Sequence, residues 1–139
     1  MLLVKKKKAL LLRLRDPSKV TTVIPKSKVV TYKGKEFVAV KHGVDEVRVL
    51  RNLGIQAPEP IKYHYTWPGR FKPFMAQRET AAFLSMWRRA FVLNDIGSGK
   101  TLATLWAFDY LRSAGLVKKM IVVAPLSTLE RTWADEIWQ

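Results

Sequence analysis

The sequence predicts an α/β fold in which a small basic β-rich module precedes a parallel sheet flanked by helices. Three observations predict it. Two short apolar runs, Ala90–Leu93 and Met120–Ala124, are each followed by a segment with helical spacing. A glycine loop joins the first run directly to its helix. The charge also changes along the chain: residues 1–66 carry 15 Lys/Arg against 5 Asp/Glu, and residues 67–139 carry 10 against 6. The boundary is expected near Gly69, giving a module over 1–69 and the start of the α/β domain over 70–139.

In the first region, Val20–Ile24 is β-branched and closed by Pro25, and reads as a strand. Val29–Tyr32 and Glu36–Val40 flank Lys33-Gly34-Lys35 and read as a hairpin with a short glycine-containing loop. Asp45 is placed to cap a helix running to Leu53, with Val47, Leu50 and Leu53 on one face and Gly54 ending it. The Lys5–Lys8 run reads as a solvated tail that adds nonspecific attraction for phosphate. Ala57-Pro58-Glu59-Pro60 and Trp67-Pro68-Gly69 are connectors.

In the second region, Gln77–Trp87 carries Ala81, Phe83, Leu84 and Trp87 at helical spacing. Ala90–Leu93 is a short apolar run of the kind expected in a buried parallel strand. The next helix carries Leu102, Leu105, Trp106, Tyr110 and Leu111, and Gly115 is its stop. Met120–Ala124 reads as a second buried strand, broken by Pro125, and Leu129–Trp138 as a further helix. Strand, loop, helix, strand and helix in that order open a parallel α/β sheet. Trp87, Trp106, Trp133 and Trp138 fall at helical spacings and read as packing residues.

The residues that carry chemistry are Asn94-Asp95-Ile96-Gly97-Ser98-Gly99-Lys100-Thr101. A triphosphate needs a ring of backbone N–H donors, a cation, and a hydroxyl for its metal. Gly97 and Gly99 let the main chain approach the phosphates, and the helix that follows adds its positive end. Ser98 lies within the same ring. Lys100 would reach the β and γ phosphates, and Thr101 would place its hydroxyl on Mg²⁺. The first glycine of the usual G-x-x-x-x-G-K-[ST] pattern is Asn94 here. Asp95 reads either as a solvated loop acid or as a group near the metal or nucleotide. The cofactors expected are therefore ATP and Mg²⁺.

Asp95-Ile-Gly-Ser-Gly-Lys-Thr101 resembles motif I of superfamily 2 helicases, and is most similar to the Swi/Snf-type branch and its tailed-bacteriophage members. Two further segments fit in order. Phe71-Lys-Pro-Phe74 with Gln77-Arg-Glu-Thr80 resembles the Q-motif region, whose glutamine reads the adenine edge. Ile121–Leu129, with Trp133 and Glu136 beyond, is similar to motif Ia. The resemblance covers residues 70–139. It implies a RecA-like domain and a DNA-stimulated ATPase that acts as a helicase or translocase, with Gln77 selecting adenine and Pro125, Leu126, Ser127 and Thr128 touching the nucleic-acid backbone. Ser127 and Thr128 read equally as caps of the last helix. Hydrolysis in this family needs an Asp-Glu-x-x strand. Asp45-Glu46 lies in the first module and Asp135-Glu136 on a helix, so the chain is expected to be the front part of a longer motor, without hydrolysis of its own.

Composition bounds the rest. The net charge of +14 favours a polyanionic partner, with DNA preferred over RNA on the resemblance. The absence of cysteine excludes disulfides and thiolate metal sites. His42 and His64 are too far apart in sequence to argue for a metal, and read as surface or packing residues. The apolar run after the lysines, Ala9–Leu12, is too short for a secretory signal, which needs about 7–15 residues. No stretch approaches the roughly 20 apolar residues of a membrane span. A cytoplasmic location is expected, in the host cell if the source is viral. Two other functions fit the residues: a P-loop ATPase or kinase of another branch, and a short nucleic-acid-binding protein that never hydrolyses ATP.

Overall fold

The computed structural model describes residues 1–70 and 72–138. The chain divides into two units, Met1–His64 and Tyr65–Gln139.

The first unit is built on a four-stranded sheet of order β1-β2-β4-β3, with every pair antiparallel. The strands are β1 Leu2–Val4, β2 Ala9–Leu12, β3 Lys28–Tyr32 and β4 Lys35–Lys41. Lys33 and Gly34 form the two-residue turn between β3 and β4, with φ of 50° and 70°. Those left-handed values give the turn a twist that matches the strands it joins. Lys5–Lys7 make a 3₁₀ turn between β1 and β2, closed by Lys8 at φ 45°. The lysine run is thus a tight connection rather than a tail. Leu10 and Leu12 pair with Val40 and Val38, and all four side chains are buried on one face.

Helices α1 (Ser18–Thr21), α2 (Val44–Asn52) and α3 (Ile61–His64) complete this core with Val20, Val44, Val47, Leu50 and Ile61. Val20–Ile24 is not a strand. Asp16 accepts bonds from the Ser18 amide and hydroxyl, and this Asx-type turn starts α1 in spite of the β-branched residues that follow. In α2 the flanking residue at the N-terminus is Gly43, and Asp45 lies inside the first turn. The buried face is Val44, Val47 and Leu50, and Leu53 stays 40% exposed because the helix ends before it. Arg51 binds the Ala57 carbonyl and the Glu59 carboxylate, tying the proline-rich connector back to α2.

The second unit is centred on α4 (Met75–Met86) and α5 (Lys100–Ser113), which pack against each other. Their buried residues are mostly small, with Ala81 and Ala82 on α4 and Ala103 and Ala107 on α5, so the helices can approach closely. The buried face of α4 runs through Gln77, Thr80, Ala81 and Met86, whereas Phe83 and Trp87 point outward. α5 ends in a Schellman motif: the Leu116 amide bonds to the Leu111 carbonyl and the Gly115 amide to that of Arg112, with Gly115 at φ 74°. Trp106 is buried and donates its indole N–H to the Pro68 carbonyl, and Trp67 meets its ring edge-on at 5.4 Å. Trp87 and Trp138 are 56% and 87% exposed, so the packing role expected of the tryptophans holds for Trp106 and fails for those two. The last helical stretch comprises α6 (Leu126–Thr128), a π-helical Leu129–Ala134 and α7 (Asp135–Ile137).

The expected parallel sheet is not formed. The sheet in the structure is antiparallel and belongs to the first unit, and neither Ala90–Leu93 nor Met120–Ala124 is a strand. Both segments lack regular secondary structure and backbone pairing among the described residues. An apolar run becomes a strand only when another backbone saturates its N–H and C=O groups, and no described segment does so here. Phe91 and Leu93 are 91% and 93% exposed, and Ile121 and Val123 are 90% and 93% exposed, while Val92 and Val122 between them are partly covered.

Candidate functional site

The loop Asn94–Gly99 leads straight into α5 and is held from the side by α4. Gln77 and Thr80 lie one turn apart on the buried face of α4; Thr80 bonds to the start of the loop and Gln77 abuts its end. At the start of the loop, Asn94 Nδ2 donates to Thr80 Oγ1 at 2.8 Å, and Thr80 Oγ1 donates to the Ala76 carbonyl at 2.9 Å. At its end, the Gln77 amide nitrogen sits directly against Gly99, where any Cβ would collide with it. Gln77 Oε1 accepts the Phe74 backbone N–H at 2.9 Å, closing the N-terminus of α4. Gln77 is therefore a buried, anchored side chain and not a solvated one. Phe71, which the resemblance places ahead of it, lies outside the described residues.

Gly97 and Gly99 adopt φ of 77° and 72°. Left-handed residues of this kind are components of the peptide nests that receive anions. Gly99 is the residue before α5, so the loop runs directly into the N-terminus of the helix, while the Ser98 amide donates to the Asp95 carbonyl at 3.3 Å. Lys100 folds back over the loop, and its ammonium donates to the Asn94 and Asp95 carbonyls, each at 2.8 Å. Two of its three N–H donors are satisfied inside the loop. The Ser98 hydroxyl oxygen is buried and has no hydrogen-bond partner among the described residues. Thr101 is half-buried in the first turn of α5, and the Asp95 side chain is exposed.

Asn94 is the residue whose role the sequence did not reveal. As a missing glycine it marked a departure from a pattern, whereas in the structure its side chain fastens the loop to α4. The available signal was the pair Gln77 and Thr80, three residues apart and so on one helix face.

Pro125, Leu126, Ser127 and Thr128 are exposed at the start of the last helical stretch. Neither Ser127 nor Thr128 caps it: Pro125 is the flanking residue, and no side chain makes a capping bond. Thr128 lies inside the first turn and donates its hydroxyl back to the Pro125 carbonyl at 2.8 Å. No hydrogen bond among the described residues joins this segment to the loop. A groove of about 600 Å³ lies along α5, lined by Leu102, Leu105, Trp106, Met120 and Ile137 among others, and none of residues 94–101 lines it.

In the first unit, the two histidines that stand apart in sequence meet, with His42 Nδ1 2.8 Å from His64 Nε2. The His42 Nε2–H donates to the Pro58 carbonyl at 2.9 Å, so its Nδ1 accepts from His64. Burial holds both imidazoles below the usual histidine range, and the neighbouring His42, Lys8 and Lys5 depress His64 further. Among the described residues no group of three or more His, Cys, Asp or Glu is placed to hold a metal ion. No helix among them is long and apolar enough to cross a membrane.

Comparison with protein-family models, with curated proteins and with solved structures finds no match.

Proposed function

We propose that Asn94–Thr101 holds the triphosphate of ATP with Mg²⁺, and that the chain is the ATP-binding portion of a DNA-stimulated ATPase of the helicase or translocase kind. The observation that carries this is the loop geometry: two left-handed glycines ahead of a 14-residue helix, a lysine folded over them, and a glutamine lodged against the second glycine. That geometry lies within the loop and α5 and does not itself involve a parallel sheet. The loop amides and the N-terminus of α5 receive the phosphate oxygens. Lys100 exchanges its two carbonyl partners for the β and γ oxygens, and the Thr101 hydroxyl becomes a ligand of Mg²⁺. The buried Ser98 hydroxyl gains a partner when an anion is present. Gln77 keeps its oxygen on the Phe74 amide and offers its remaining amide hydrogen-bonding capacity to adenine. The exposed Pro125–Thr128 segment and the basic first unit are the surfaces for nucleic acid.

The test is a nucleotide titration. Lys100→Ala removes a charge-assisted contact worth about 1.5–3 kcal/mol, so ATP affinity should fall by about 10- to 150-fold. Equal affinity of the two proteins would reject the phosphate site. ATP should also bind more tightly than GTP, and Gln77→Ala should remove that difference. A wild-type protein that treats ATP and GTP alike rejects the adenine role and leaves the phosphate site standing.

A further inference from the structure

The register of the N-terminal sheet sorts its charges by face. Side chains alternate along a strand, and directly paired residues share a face. Leu10, Leu12, Val38 and Val40 occupy the buried face. The opposite face carries Leu11 paired with Ala39, Ala39 with Lys28, Ala9 with Lys41, Val30 with Phe37, and Tyr32 with Lys35. All three lysines within the strands, Lys28, Lys35 and Lys41, thus lie on this second face. Glu36, the one acid within the strands, pairs with Thr31 on the first.

The second face is also partly open. Its three lysines are exposed, Leu11, Val30 and Ala39 are partly covered, and the Tyr32 ring is 47% exposed at the β3 edge. Phe37 is buried on this face and supports Tyr32 edge-on at 6.4 Å, and the Lys33 ammonium stands 5.6 Å from the centre of the Tyr32 ring. From Lys35 to Lys41 the strand extends about 20 Å.

We propose that this face is the docking surface for a single-stranded polynucleotide. Lysines spaced along a pleated surface with no acid among them complement a run of phosphates. The small side chains Ala9 and Ala39 leave room for a backbone to lie close. An exposed aromatic ring braced from below offers a platform on which one unpaired base stacks, which a duplex with its bases paired inside cannot use. The inference rests on the nucleic-acid part of the proposed function and is independent of ATP at the loop.

The experiment is fluorescence anisotropy on the full chain without nucleotide. The probes are labelled oligo-dT and oligo-U of one length, an abasic phosphodiester oligomer of that length, and a duplex. Base-bearing single strands should bind more tightly than the abasic strand or the duplex. The dT and U arms report whether the sugar is read. Tyr32→Ala should weaken the base-bearing strands at least fivefold, in line with the loss of one stacked base, and leave the abasic strand unchanged. Replacing Lys28, Lys35 and Lys41 together by Gln should reduce the slope of log affinity against log salt by about 2, at about 0.7 per phosphate. Replacing Lys19, Lys26 and Lys118, which lie outside the strands, makes the same charge change and should leave that slope nearly intact. Equal losses in the two triple variants, equal binding of base-bearing and abasic strands, or tighter binding of the duplex would each overturn the docking face while leaving nucleic acid as a partner. Absence of any binding at low salt would overturn both.

Discussion

The two units spend their apolar residues differently. In the first, the largest fully buried side chains include Leu10, Leu12, Leu50, Ile61, Val20, Val38, Val40 and Val47, and the β1–β2 and β3–β4 pairs of the sheet that places them are joined by short local connections. In the second, the helices pack through alanines, while Phe91, Leu93, Ile121, Val123 and Leu126 are each at least three-quarters exposed. The difference shows where strand formation comes from. Antiparallel partners linked by a two-residue turn find each other within a few residues, whereas parallel partners need a crossover and a distant segment. Apolar content alone does not make a strand.

The largest expected effect tests this contrast directly. Leu10→Ala empties a fully buried position and should cost about 2–5 kcal/mol of unfolding free energy in urea denaturation. Ile121→Ala, at a side chain 90% exposed, should stay within about 0.5 kcal/mol. A cost of about 2 kcal/mol or more at Ile121 would mean that its side chain is covered in solution and would erase the contrast.

An intermediate effect comes from the histidine pair of the first unit. Both imidazoles are held below the ordinary value of 6.5, so the unfolded chain takes up protons first as the pH falls. Their contribution to stability is complete above about pH 6.5 and is lost as the pH drops toward the folded values. Glu59 is also depressed: burial alone would raise it, but the bonds from Arg51, its own backbone and Lys62 outweigh that. Its contribution begins to fall only below its ordinary value of 4.5, so thermal melts between pH 7.5 and pH 5 isolate the histidines. The first unit should lose stability across that range, and the combined His42→Gln, His64→Gln variant should show a flatter profile.

The smallest expected effect lies in the second unit. Thr80→Val keeps the shape and deletes the hydroxyl that holds Asn94, at about 0.5–1.5 kcal/mol. Asn94 is exposed, so water partly replaces the lost partner. Hydrogen exchange of the amides from Asn94 to Gly99 should rise while those in the middle of α5 stay protected. Unchanged exchange in the loop would show that α4 does not hold it.

What the sequence made legible follows the range of the interaction that decides each feature. The β3–β4 hairpin was readable because Lys33-Gly34 can supply two left-handed residues between alternating segments. The stop of α5 at Gly115 was readable for a similar local reason. β1 and β2 were not, because the lysines between them carry no turn signature and Lys8 enters the left-handed region without being glycine. α1 was misread because an aspartate two residues upstream outweighed the β-branched residues. In the candidate loop, the left-handed turns at Gly97 and Gly99 follow from glycine itself, within one short segment. The grip of Thr80 on Asn94 spans 14 residues and depends on how α4 packs beside the loop, which no local pattern encodes.

The Thr80 bond at one end of the loop and the Gln77 contact at the other have a consequence in dimensions. Three residues of α-helix rise about 4.5 Å, so the separation of the two anchor points is set by helical geometry and not by the flexible glycines between them. The helix serves as a length standard for the loop beside it. A single residue inserted between Gln77 and Thr80 would turn one anchor about 100° around the axis relative to the other, since a turn takes 3.6 residues. One end of the loop would then lose its contact with the helix, although every residue of the loop itself was unchanged.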